Sequence, residues 1–158
     1  MTARDLEIVR LEESRIDGLL AMLQAIADEG MTRWFEPHPF TRDHLSSLCA
    51  DGVRDLYYVM SAGPEVLGYG LLRGWDEGYA VPSLGIAVHP AHRGKGFGLT
   101  MMEFLHAAAR LRGSEQVRLR VYDNNDAAIA LYRRLGYRFD NLAGGSGQPV
   151  VGFKRLVP

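Results

Sequence analysis

Cysteine is nearly absent. Cys49 is the only one among 158 residues, so neither an internal disulfide nor a cysteine-rich zinc site is open to the chain. One thiol fits a reducing compartment. Its setting, "SSLCAD", reads as an apolar helix position rather than a nucleophile. There is also no excess of either charge: 18 Lys and Arg stand against 19 Asp and Glu, for a net charge of −1. Nucleic-acid-binding domains normally carry a basic surplus, so no nucleic-acid partner is expected. No apolar run nears the roughly 20 residues that span a bilayer. The first residues, "MTARDLEIVRLEESR", lack the apolar centre of a signal peptide. The expectation is a cytoplasmic protein with no membrane partner.

What is present suits one domain with a real core, residues 1–158, since 47% of the chain is apolar and 23% charged. Alternation predicts a strand over Asp5 to Leu11. Ile16, Leu19, Leu20, Leu23 and Ile26 then recur at helical spacing until Gly30. "MTRWFEPHPF" is too broken by proline for a helix and too apolar for an idle loop. Thr41 caps a short helix through Leu48. Strands are predicted at Leu56 to Ala62 and Val66 to Leu72 around a Gly63-Pro64 turn, then at Ser83 to Val88. A helix runs from about Gly96 to Leu111 and a strand from Gln116 to Tyr122. Asn125 caps a helix that Gly136 stops. Strands at Tyr137 to Asp140 and Val150 to Phe153 close the chain. The order describes an α/β (α+β) fold with a mixed sheet.

"HRGKGFG", His92 to Gly98, follows an apolar strand and opens a helix. That arrangement builds an anion site: the first helical amides lack intrahelical acceptors, the helix dipole is positive there, and glycines let a phosphate approach. Arg93 and Lys95 add charge. It is not a P-loop, since no G-x-x-x-x-G-K-[ST] exists, and the dinucleotide fingerprint fails at Leu99 and Met101. What stands is Arg93-x-x-Gly96-x-Gly98.

This pattern resembles the acetyl-CoA loop of the GCN5-related N-acetyltransferases (GNAT). "VYDNNDAAIALYRRLGY" is similar to that family's second signature, with Asn125, Ala128, Leu131, Tyr132, Leu135, Gly136 and Tyr137 in place. The resemblance implies a mostly antiparallel sheet of about seven strands flanked by about four helices. It implies acetyl-CoA as cofactor, its pyrophosphate on the amides of Arg93, Gly94, Lys95, Gly96, Phe97, Gly98 and Leu99. Ile86, Ala87 and Val88 would offer backbone groups to the pantetheine arm, beside a strand that splays away. Asn125 and Ala128 would line the far side, and Tyr132 would serve as the acid toward the leaving thiolate.

Many relatives carry a glutamate on the strand before the loop. Here "VPSLG" has none. Asp76 and Glu77, just upstream, are the candidate bases, with Glu36, His38 and His89 as rivals. Trp34, Phe35, Glu36, His38 and Phe40 are the candidate acceptor-binding residues, suited to an aminosugar or another bulky small-molecule amine. No metal is expected. Two other readings stay open: a CoA-binding regulatory module without catalysis, and an acyltransferase with another acyl donor or another acceptor, such as a protein amine. A homodimer through the C-terminal strands is compatible with the residues.

Overall fold

The structure is a computed structural model, and it describes residues 4–30, 35–140, 142 and 146–157. Trp34 lies outside the described residues, as does part of the hairpin connection after Asp140.

Seven strands form one sheet in the order β1-β2-β3-β4-β5-β7-β6. They are β1 (Leu6–Arg10), β2 (Leu56–Ala62), β3 (Glu65–Arg73), β4 (Ser83–Val88), β5 (Gln116–Tyr122), β6 (Arg138–Phe139) and β7 (Pro149–Arg155). All neighbours pair antiparallel except β4 and β5. Four α-helices cover it: α1 (Ile16–Asp28), α2 (Arg42–Leu48), α3 (Phe97–Leu111) and α4 (Asp126–Arg134). Strand count, helix count and the mixed sheet agree with the sequence reading. Its boundaries move by a few residues: the first helix is preceded by a 3-10 turn at Glu13–Arg15, and β6 is shorter than expected. β7 is paired on both sides, so the C-terminal edge of the sheet is the two-residue β6. Among the described residues no helix is long and apolar enough to cross a membrane.

β2 and β3 bury both faces, which explains why they read as nearly continuous apolar runs. On one face α1 and α2 pack Ile16, Leu19, Leu23, Ile26 and Leu45 against Tyr57, Val59, Tyr69 and Leu71. On the other, Met101, Met102, Leu105 and Ala109 of α3 pack against Leu56, Met60, Leu72 and Leu84. The approach of α3 depends on Gly70: a Cβ there would stand 2.6 Å from Met101 Sδ and 3.1 Å from Leu105 Cδ1. Two core histidines escaped the periodicity. His106 of α3 meets the Tyr137 hydroxyl at 2.7 Å. His38 meets the Tyr69 hydroxyl at 2.8 Å and the Pro39 carbonyl at 2.9 Å. Burial pulls the pKa of each down to about 4, so Nδ1–H of neutral His38 donates to Pro39 and Nε2 accepts from Tyr69.

Cys49 caps the C-terminus of α2, with Sγ 3.5 Å from the Leu45 carbonyl and 3.6 Å from that of Leu11. Burial raises its pKa first of all, and the carboxylates of Glu13 and Glu12 add to the rise. A thiol held protonated in this way is a packing residue.

Candidate active site

The site begins where β4 and β5 part. They run parallel, and their pairing is confined to Ser83 with Arg118 and Leu84 with Leu119. Along a strand, successive residues turn their N–H and C=O groups to opposite sides. The Pro82 carbonyl accepts from Arg118 N on β5, while His89 N donates to the Leu67 carbonyl on the β3 side. Counting between these fixed points, Ile86 and Val88 present their backbone groups to the widening slot, and Ala87 presents its own to β3. Of the three residues expected along the rail, two therefore face it.

At the open end of β4 the chain turns through Pro90–His92 and reaches α3. Gly94 and Gly96 hold φ of +76° and +84°, a region that costs an ordinary L-residue about 1–2 kcal/mol. Gly96 is the N-cap of α3 and offers no side chain to its amides. The first intrahelical bond is Thr100 N to the Gly96 carbonyl, at 3.1 Å. The N–H groups of Phe97, Gly98 and Leu99 are thus open to an anion. A Cβ on Gly98 would rest 3.5 Å from Val88 Cγ2 and 3.8 Å from Ile86 Cδ1, so the helix mouth packs directly on the rail. Two loop cations are tethered: Arg93 pairs with Glu29 at 2.8 Å, and Lys95 Nζ lies 3.3 Å from His92 Nδ1. His92 in turn bonds Glu65 at 2.6 Å.

The far wall of the slot is α4. Asn125 Oδ1 caps it, accepting from Ala128 N at 3.4 Å. Seven residues on, Tyr132 turns into the same small cavity that Ile86, Tyr122 and Asn125 line. Burial raises the Tyr132 pKa above its ordinary value, so the hydroxyl stays protonated and can donate. Its ring packs 5.8 Å from that of Tyr137. Ala128 packs on the core beneath.

Beyond the slot, on the face that carries α1 and α2, a groove of about 910 Å³ opens. Its walls include Phe35, Glu36, Arg73, Glu77, Tyr79 and Arg118. It shares Phe35, Leu84, Gly85 and Tyr122 with the slot cavity, so the two spaces adjoin. The expected site residues divide here. Phe35, Glu36 and Glu77 line the groove. His38 is buried beneath Tyr69, and Phe40 packs on the core under α1. Asp76 is occupied differently. Its two oxygens accept the N–H groups of Arg54 and Asp55, each at 2.9 Å, and Asp55 Oδ1 accepts from Gly74 at 3.0 Å and Asp76 at 3.2 Å. These bonds hold the Asp76 pKa below the usual carboxylate value. The clamp fixes the turn that carries Glu77 and Tyr79 into the groove. His89 caps the 3-10 turn, its Nδ1 accepting from Ala91 N at 3.0 Å. Sequence reasoning missed Arg73, Tyr79, Arg118, Arg120 and Tyr122. The alternation of β5 contained a signal, because its polar residues had to share one face.

A slot between splayed strands, with a helix mouth at its open end, is the arrangement that the resemblance to the acetyltransferase family implies. The profile described as Acetyltransferase (GNAT) family matches residues 21–137, and the chain belongs to that family. Acetyltransferase SG1711 of Sodalis glossinidius (strain morsitans) is 31% identical over 87 residues, which are 55% of this chain and 60% of that protein. The match thus spans less than two thirds of that relative. The structure of yncA, a putative acetyltransferase from Salmonella typhimurium with its cofactor acetyl-CoA, superposes with a TM-score of 0.75 at 20% identity over 96% of this chain and 94% of that one. The paia N-acetyltransferase from Thermoplasma acidophilum, in complex with coenzyme A, superposes with a TM-score of 0.74 at 16% identity, covering 96% and 99% of the two chains.

Proposed function

We propose that this protein moves an acetyl group from acetyl-CoA to the primary amine of a small molecule, an aminosugar or another bulky amine, by direct transfer. The observation that carries the reading is the junction of the β4–β5 slot with the uncapped mouth of α3. The residues fit the cofactor: Gly96 leaves the amides of Phe97, Gly98 and Leu99 without a side-chain cap, and a Cβ built on Gly94 or Gly96 would meet nothing within 4 Å. Arg93, Gly94 and Lys95 border that point. The bound cofactor supplies an activated acyl group as a thioester.

The chain's own groups do the rest. Ile86 and Val88 align the extended arm through their backbone, and an amide at this level can donate to the acyl oxygen as negative charge develops. Tyr132 donates a hydrogen bond to the departing sulfur. In the transfer an N–C bond forms as the C–S bond breaks, and one proton leaves the amine. Glu77 takes that proton directly or through water, since it lines the groove while the Asp76 oxygens are engaged by amides. Phe35 walls the acceptor at the junction of groove and slot. The acceptor enters from the α1 and α2 face and the donor from the α3 and α4 face, so both reach the slot without exchanging places.

Calorimetric titration with acetyl-CoA, followed by thiol release with a panel of amines, tests the reading. Saturable binding and amine-dependent release are expected. An absence of binding heat and of thermal protection would remove it.

A further inference from the structure

The groove holds charges that the transfer itself does not use. Val117, Leu119 and Val121 of β5 take the core face, so alternation sends Arg118, Arg120 and Tyr122 to the groove, where all three line the wall. Arg73 joins them from the end of β3, one of its N–H groups bonded to the Pro37 carbonyl. None of these three arginines takes part in an ion pair among the described residues. Arg118 goes further. Its Nε is buried with no hydrogen-bond partner, the one side-chain nitrogen or oxygen so placed among the described residues. Its guanidinium lies 5.5 Å from the centre of the Tyr79 ring, which orients the plane but accepts no strong hydrogen bond. A charged donor buried without an acceptor is costly to the fold. The same side chain lines an open groove, which fits a position where an incoming anion supplies an acceptor to the guanidinium. Two carboxylates, Glu36 and Glu77, line the same groove. The walls therefore carry both signs of charge.

We propose that the acceptor is a zwitterion: a small primary amine that also carries a carboxylate or phosphate, with the anionic group held by Arg118 and Arg120 and the amine drawn toward Glu36 and Glu77. This rests on the acetyltransferase reading above and narrows it. Arg118 sits at the closed end of the slot, level with Ser83. Ile86 lies three residues further along β4, about 10 Å at ~3.3 Å per residue. The arginine side chains shorten that span, so amine and anion belong on opposite ends of one small molecule. An aminosugar without an anionic group leaves the arginines unanswered. A polyamine meets three like charges. A phosphorylated or acidic aminosugar, or an amino acid, satisfies both walls.

The test uses the whole protein and matched pairs that differ by the anion: glucosamine 6-phosphate against glucosamine, lysine against cadaverine, and γ-aminobutyrate against butylamine. Thiol release should give the anionic member of at least one pair a kcat/KM about 10-fold or more above its partner. Which pair responds tells phosphate from carboxylate. Arg118→Met should cut that kcat/KM by about 10- to 100-fold, the scale of a charge-assisted bidentate contact. The partner that lacks the anion should change less than about 3-fold, and affinity for acetyl-CoA should hold. That difference between pairs is what a merely structural role would not produce. Equal or better turnover of amines without an anionic group, polyamines included, would overturn the proposal. So would an equal loss on both members, or no acetylation of any anionic amine. Acetyl-CoA titration in parallel separates the two failures: retained binding means that only the zwitterion assignment falls, while lost binding takes the acetyltransferase reading with it.

Discussion

Replacing Tyr132 with phenylalanine removes one oxygen and leaves the ring that packs against Tyr137 and the core. Among the described residues nothing hydrogen-bonds that hydroxyl, so the folded state loses no contact and stability should change by less than about 1 kcal/mol. The rate is another matter. Burial holds the Tyr132 pKa above its usual value near 10, while a thiol sits near 8.5. Complete proton transfer to the sulfur is uphill, and a hydrogen bond to the developing thiolate is the available contribution. Such bonds to charged groups contribute about 1.5–3 kcal/mol, and each ~1.4 kcal/mol is tenfold in rate. Tyr132→Phe should therefore lower kcat by about 10- to 100-fold, with the Kd for acetyl-CoA little changed. The measurement is steady-state thiol release at saturating donor, with calorimetry and a melting curve on the same samples. Because Tyr132 stays protonated past pH 10, the alkaline side of the kcat profile should keep its shape in the variant. Turnover within about 3-fold of the parent would refute the role, and a new alkaline limb would refute the protonation argument.

The loop glycines should separate by conformation. Gly96→Ala forces φ of +84° on a β-carbon and should cost about 1–2 kcal/mol and weaken acetyl-CoA binding, whereas Gly98→Ala, whose Cβ meets only ordinary contacts, should leave the melting temperature nearly unchanged; equal effects would show that the φ argument fails. The two carboxylates after β3 should divide between chemistry and scaffold. Glu77→Gln should lower kcat by about 10-fold or more at unchanged melting temperature, and Asp76→Ala, losing two amide contacts, should lower stability by about 1–3 kcal/mol; a kcat loss in Asp76→Asn without destabilisation would reverse the assignment. His38 and His106 should make the fold acid-sensitive. Each is neutral when folded, with a pKa of about 4 against 6.5 for the free side chain, so the unfolded chain binds more protons between those values. Their contribution is complete above about pH 6.5 and is lost as pH falls toward 4, on the order of 3 kcal/mol each; melting curves from pH 7 to 4.5 should show it, and His106→Asn should flatten the slope.

Particular residues show where sequence reading loses its grip. Helical spacing found Leu19, Leu23 and Ile26, and it found Met101 and Leu105, because core-facing positions recur every 3.6 residues. It passed over His106 on the same stripe, since nothing local says that a Tyr137 hydroxyl will arrive 31 positions later to satisfy it. Asp76 and Glu77 are adjacent and chemically alike. Only the long-range bonds to Arg54 and Asp55 gave one of them to the scaffold. His38 and Phe40 stood beside Phe35 and Glu36 in one aromatic segment, yet the described part of the segment turns the first pair inward and the second toward the groove.

The residues alone determined the order of elements, the glycine-opened helix mouth and the Asn125-to-Tyr137 signature, because these follow from spacings within a few residues. Tertiary structure decided which side chains share a cavity. Arg73, Glu77, Tyr79 and Arg118 come from β3, the turn that follows it and β5, spread over 46 positions of sequence. Sheet pairing brings them together, and it does so through Ser83 and Leu84 meeting Arg118 and Leu119 before the two strands diverge. Local propensity sets whether a segment is a strand; where two strands part is set by everything packed around them.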